Sequence, residues 1–363
     1  MAKIIMITVT KTYLPALVEY QKYLAQIWDK QWLTNRGPLL IELEEKLKEK
    51  LITPHILVVN NGTIPLQIAL KLLGKKGEII TTPFSYVATT SSIVWEGCTP
   101  VFVDIHPEYF TIDESKIEVA ITNKTTAILA THVFGNPCNI DEIQRIATKY
   151  NLKVIYDAAH SFGVNYKKQS LFNFGDVSTC SFHATKIFHT GEGGAFFTKD
   201  KELQHQLFYS HNFGHNGPLD FYGVGINAKI SELQAAMGLA VLPHFDFIVS
   251  ERKKVVNYYL KELNFKKLKT ITIREETQWN YCYFPIVFES ETQLLKTQAS
   301  LNELQIYPRR YFYPSLNLLD YVKPSQCPNS ESLSKRVLCL PLYVGLTKTE
   351  LKIIVETINI SLI

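Results

Sequence analysis

The chain has 363 residues, 46% hydrophobic and 20% charged, enough apolar material for an ordinary globular core and too much for a disordered chain. Its 38 basic and 34 acidic residues are scattered, giving a net charge of +4 with no basic run, so an anionic small molecule suits it better than DNA or another nucleic acid. Six cysteines, at 98, 138, 180, 282, 327 and 339, show no C-x-x-C spacing, which points away from metal, iron–sulfur and thioredoxin-like chemistry and toward six buried reduced thiols. The start, MAKIIMITVTKTYLP, has a short apolar patch but no signal-like hydrophobic region or cleavage site, and nowhere do about 18 apolar residues run uninterrupted. A soluble, cytoplasmic protein with no membrane contact is expected.

After an irregular N-terminal arm, Ile41 to Lys50 has helical apolar spacing. Strand-like runs then alternate with helical ones: HILVVN, the helical IPLQIALKLL, GEIITTP, TPVFVDI, TTAILATHVF, the helical IDEIQRIATKY, LKVIYDAAH, STCSFHA and GGAFFTKD. Several are apolar almost throughout, as strands buried on both faces are. The pattern predicts a mainly parallel sheet wrapped by helices, with ligands gathered beyond the carboxyl ends of the strands. From Ser231 a long helical pattern is interrupted by Pro243, which should kink or divide it. A boundary near there predicts an arm and large domain over 1–245 and a small α/β domain over 246–363, with a strand in YCYFPIVF, a helix in TQLLKTQASLNELQ and a last helix from about Thr347.

Three segments carry chemistry. In HILVVNNGTIPLQ, a strand turns tightly into a helix at Gly62, and Pro65 suits the first helical turn. The amides of Gly62, Thr63 and Ile64 would face an anion at a helix N-terminus, or the turn merely reverses the chain. Asp157 ends the strand LKVIYD; a carboxylate there can keep a pyridine nitrogen protonated, or cap the turn. His160 follows it and can serve a phenolic oxygen or a buried backbone group. In STCSFHATKIFHTGEGGAF, Lys186 stands 29 residues after Asp157 in an apolar or small-residue context that favours the neutral amine an imine-forming lysine needs. Ser181 offers a hydroxyl to a phosphate or to the strand end. The turn Gly191-Glu192-Gly193-Gly194 leads into GAFFT, read as a hairpin strand backing the site.

G-T before a helix, D-A-A-H, S-F-H-A-T-K and T-G-E-G-G, in this order, resemble the sugar aminotransferases of the DegT/DnrJ/EryC1/StrS family. The likeness covers almost the whole chain and extends to TPFSYVATTSSIVWEGCTPVFVDI, THVFGN and GINAKISELQAAMG. The resemblance implies fold type I, with a mainly parallel seven-stranded sheet in the large domain, and pyridoxal 5′-phosphate (PLP) as cofactor. It implies that Tyr86 stacks on the pyridine ring, Asp157 contacts its nitrogen, His160 its hydroxyl and Lys186 its aldehyde carbon. Gly62, Thr63, Ile64 and Ser181 would hold the phosphate, and Asn227 would reach the phosphate of a neighbouring subunit in a homodimer with shared active sites. Thr34, Arg310 and Tyr313 are assigned to substrate. Two positions depart from the family pattern: Lys229 stands where arginine is common, and Ser315 where many relatives have histidine, which suggests an altered sugar or nucleotide pocket.

The T-G-E-G-G form resembles the family's 4-aminotransferases rather than its 3-aminotransferases. It implies a nucleotide-linked keto-sugar, dTDP-4-keto-6-deoxyglucose, aminated with L-glutamate as donor for bacterial surface polysaccharide. A 3-keto or a UDP- or GDP-linked substrate is the alternative within the class, and a non-catalytic sugar-sensing regulator on the same fold is the alternative outside it. A sugar 3-dehydratase of this fold would carry histidine in place of Lys186.

Overall fold

Seven runs that read as strands line up in one sheet. The computed structural model describes residues 6–362; residues 1–5, part of the expected arm and its apolar patch, and residue 363 lie outside the described residues. The strands are β1 (His55–Val59), β2 (Glu78–Thr81), β3 (Thr99–Phe102), β4 (Thr125–Thr131), β5 (Lys153–Asp157), β6 (Val177–Ser181) and β7 (Gly194–Thr198). Their spatial order is β1-β7-β6-β5-β4-β2-β3, with β7 running against both of its neighbours and every other adjacent pair parallel. The apolar runs are continuous because both faces are covered. Ile56 and Val58 enter one core with Ala195 and Phe197, while Leu57 and Val59 enter another with Phe196 and Leu129.

Helices α1 (Leu17–Lys30), α2 (Pro38–Leu51), α3 (Ile64–Ala69), α4 (Val87–Trp95), α5 (Ile140–Tyr150), α6 (Lys201–Ser210) and α7 (Glu232–Val241) precede or wrap these strands. The arm expected to be irregular is helical over α1. Its apolar residues lie on both sides, so no single stripe marks it in the sequence: Ile27 is buried, whereas Leu17, Val18 and Trp28 are exposed. Pro243 divides the long helical pattern as expected, in a 3-10 turn over Leu242–His244 between α7 and α8 (Phe245–Glu262). By length and composition alone Glu232–Glu262 could cross a membrane, but half of its most apolar window is buried inside the fold.

Phe245 and Ile248 of α8 belong to the core beneath the sheet, and Val255, Val256 and Tyr259 to a second, C-terminal core. That second core lies around a three-stranded antiparallel sheet of Lys269–Thr270, Pro285–Val287 and Val337–Cys339. Helices α9 (Glu291–Glu303), α10 (Pro328–Arg336) and α11 (Lys348–Ser361) accompany it, the last capped by Thr347. Of the run YCYFPIVF only Pro285–Val287 is strand; Tyr281–Tyr283 is held instead by buried Arg252, which donates to the carbonyls of Tyr281 (2.8 Å) and Cys282. In the arm, Ile7–Thr8 pairs in parallel with Ile306–Tyr307, so this piece of it joins the C-terminal layer. All six cysteines are buried and unbonded to one another.

Candidate active site

Because β7 alone is reversed, the carboxyl ends of β1, β4, β5 and β6 and the start of β7 lie at one edge of the sheet. There a cleft of about 310 Å³ is lined by Gly62, Thr63, Tyr86, Asp157, His160, Ser181 and Lys186, together with Asn61, Ser85, Thr131, His183, Thr185, Glu192, Tyr283, Tyr311 and Phe312. Gly62 is needed for a close approach: a Cβ there would sit 2.6 Å from Ser181 Cβ and 2.8 Å from its Oγ. The β6–β7 loop is closed by Phe182 N–H on Gly193 O (2.8 Å) and Ala184 N–H on Gly191 O (2.7 Å). Lys186 is carried on this pinned loop.

Lys186 Nζ lies 5.8 Å from the centre of the Tyr283 ring and makes no hydrogen bond or ion pair among the described residues. Burial on most sides lowers its pKa, against the pull of Asp157; the neutral form is thereby favoured. Asp157 accepts from Thr89 Oγ1 (2.6 Å) and from the Ala159 amide (3.2 Å). Burial raises its pKa, and the Thr89 and Ala159 hydrogen bonds and Lys186 oppose the rise. His160 Nδ1 accepts from the Phe134 amide (3.1 Å), which leaves Nε2 as the donor of the neutral ring. Burial and Lys186 hold that ring well below the usual histidine range. It is stacked between aromatic neighbours, with Phe312 centred 5.8 Å away and tilted by only 4°.

Other assigned residues fare differently. Tyr86 is not a core aromatic; it is 60% exposed on the cleft. The Thr63 and Ile64 amides both donate to Asn61 Oδ1 at 2.9 Å, so an anion at this turn must either displace Asn61 or use Gly62 and Ser181. Asn227 and Thr34 are exposed and line no part of this cleft. Arg310 is engaged elsewhere: it pairs with Glu291 (2.6 Å), donates to the Lys335 carbonyl and lies 3.8 Å over the Tyr313 ring. Neither Arg310 nor Tyr313 lines the cleft; their neighbours Tyr311 and Phe312 do. Lys229 makes a single contact, to Asn212 Oδ1 (2.9 Å). Ser315 is buried against Asn317 and Ser330, so the departure from histidine there does not alter the cleft lining. Sequence reasoning missed Thr89, Ser85 and Thr131, whose contacts span distant positions, and Tyr283, Tyr311 and Phe312, which arrive from the C-terminal part. Asn61 was legible as a polar residue one turn before a helix.

The sequence profile of the DegT/DnrJ/EryC1/StrS aminotransferase family matches residues 17–359. This chain belongs to that family. It is a nucleotide-sugar aminotransferase whose cofactor is PLP. The aminotransferase is 42% identical, over 97% of its length and 98% of the relative's, to a dTDP-4-amino-4,6-dideoxy-D-glucose transaminase of Shigella dysenteriae. It is 31% identical to a GDP-perosamine synthase of Escherichia coli O157:H7, over 96% of its own chain and 97% of the relative's. The crystal structure of DesI with its TDP-sugar product superimposes with a TM-score of 0.93 at 28% identity, covering 98% of this chain and 93% of that one. The cleft suits PLP: it offers an amine without a hydrogen-bond partner, a buried carboxylate with acceptor capacity to spare, a neutral imidazole donor and an uncovered aromatic ring.

Proposed function

We propose that this aminotransferase moves an amino group from L-glutamate to the 4-keto carbon of dTDP-4-keto-6-deoxy-D-glucose, giving dTDP-4-amino-4,6-dideoxy-D-glucose for surface polysaccharide. The observation that carries the reading is the 42% identity, across 97% of the chain, to a relative named for that amino sugar. When bound, PLP supplies the aldehyde carbon that takes up and returns the amino group, and a ring that stores electrons. Lys186 is its attachment point; once released, Nζ moves a proton between the donor's α-carbon and the cofactor. Asp157 faces the ring nitrogen and keeps it protonated. His160 Nε2–H donates to the ring's phenolic oxygen, and Tyr86 covers the ring. Gly62 and Ser181 hold the phosphate, joined by Thr63 and Ile64 once Asn61 turns aside. Tyr311 and Phe312, rather than Arg310 and Tyr313, wall the sugar. Asn227 reaches the phosphate of a neighbouring subunit, and Thr34 meets substrate only in a neighbour's cleft, which makes the working unit a homodimer with shared sites. The chain divides at 245/246 and works in the cytoplasm.

The test is direct. Purified enzyme given L-glutamate and dTDP-4-keto-6-deoxy-D-glucose is expected to release 2-oxoglutarate and the 4-amino sugar in equal amounts. Absence of turnover beside rapid turnover of a UDP- or GDP-linked ketone, or of a 3-keto sugar, would sink this substrate. The resemblance to a GDP-perosamine synthase makes the GDP-linked 4-keto sugar the first comparison. A regulator without catalysis would keep its full function in Lys186→Ala.

A further inference from the structure

Three buried hydroxyls lead from the cleft wall to Asp157. Thr131 Oγ1 lies 3.1 Å from Ser85 Oγ, Ser85 Oγ lies 2.7 Å from Thr89 Oγ1, and Thr89 Oγ1 lies 2.6 Å from Asp157 Oδ2. None of the four residues is more than 5% exposed, and Thr131 and Ser85 reach the cleft. A hydroxyl has one hydrogen to give. With Asp157 ionised, Thr89 gives its hydrogen to the carboxylate. Ser85 must then donate to Thr89, and Thr131 to Ser85, so every hydrogen in the chain points toward Asp157 and the aligned bonds reinforce one another. Protonating Asp157 would reverse all three bonds and turn the Thr131 hydrogen into the cleft.

We propose that Thr89, Ser85 and Thr131 act together as positioning residues, a relay that holds buried Asp157 in its acceptor form and so keeps a cofactor ring nitrogen facing it protonated. The proposal rests on the assignment of Asp157 to that nitrogen. Little else nearby could do the work. Of the groups facing Asp157, Lys186 on the β6–β7 loop favours its ionised form. Cys180 on β6, His132 after β4 and His160 beyond Asp157 itself are all held neutral by burial. The bond from Thr89 is the largest counterweight to the burial that pushes the carboxyl up.

The experiment measures the affinity of purified apoenzyme for PLP as a function of pH, with melting of each apoprotein as a control for folding. Affinity depends on ionised Asp157, so it falls as pH drops through that group's pKa, and anything that raises this pKa moves the fall to higher pH. In Thr89→Val, which keeps the shape and loses the donor, the fall is expected about one to two pH units higher. Thr89→Ser should restore the wild-type midpoint. Ser85→Ala never touches Asp157 yet should move the midpoint the same way by less, which a packing role would not do. Midpoints unchanged in T89V and S85A, beside an altered profile in Asp157→Asn, would overturn the relay and leave the Asp157 assignment standing. An unchanged profile in D157N overturns both. Should T89V not fold, S85A and T89S decide the matter.

Discussion

Gly62→Ala adds one methyl group at the tightest point of the site. The new carbon would sit 2.6 Å from Ser181 Cβ, 2.8 Å from its Oγ and 3.0 Å from its Cα, whereas nonbonded carbons prefer about 3.5–4.0 Å. All three contacts lie at or next to the backbone, so no rotamer change relieves them; the β1–α3 turn and the end of β6 must part by roughly 1 Å. Overpacking of this kind costs about 1–3 kcal/mol. For a chain of this size that is a fall in Tm of about 2–5 °C. A displacement of about 1 Å at a positioned group costs on the order of 100-fold in rate. Calorimetry of the apoprotein and PLP titration would measure the two effects separately. Ser181→Gly added to G62A removes the Cβ and Oγ contacts and should recover most of the lost Tm, though not the lost phosphate ligand, a coupling that a double-mutant cycle isolates. G62A melting and binding PLP like wild type would refute the close approach.

Lys186→Ala should lose the visible absorbance band that borohydride removes from wild type, and about 10²–10⁴-fold in turnover through the proton transfer alone; a retained band would contradict the attachment point. His132 is buried and held down to about 3, first by loss of water and then by Arg274. Its folded pKa is below its unfolded one, so the unfolded chain binds more protons between about pH 6.5 and 3. Stability therefore falls as pH drops through that window, by on the order of 4 kcal/mol, and melts of His132→Gln across pH 3–7 should show a shallower acid decline. Glu232 is buried and accepts from the Leu39 (2.8 Å) and Leu40 (3.0 Å) amides at the start of α2. Glu232→Ala leaves both unsatisfied and should cost about 2–4 kcal/mol, read as a lower Tm with the visible band intact.

The sheet was legible because each of its strands is buried on both faces, which writes an unbroken apolar run into the sequence. Gly62, Asp157, Ser181 and Lys186 were legible for a related reason: each ends a strand or follows one, and parallel strands deliver such positions to one edge. The contact of Thr89 with Asp157 was not, since it joins a helix to a strand 68 residues away and nothing local announces it. Arg310 misled because a charge in an aromatic loop looks free until its partner, Glu291 on α9, is in place. Tyr283 and Tyr311 sit in stretches without periodicity, and only the fold brings them to Lys186.

Helix α8 gives its first turns to one core and its later ones to the other. A chain cut at 245/246 would strip Phe245 and Ile248 from beneath the sheet and leave the C-terminal piece with an apolar stub in water. The division there is one of topology and not of independence: α8 is a beam built into two walls, and neither wall stands if it is sawn through.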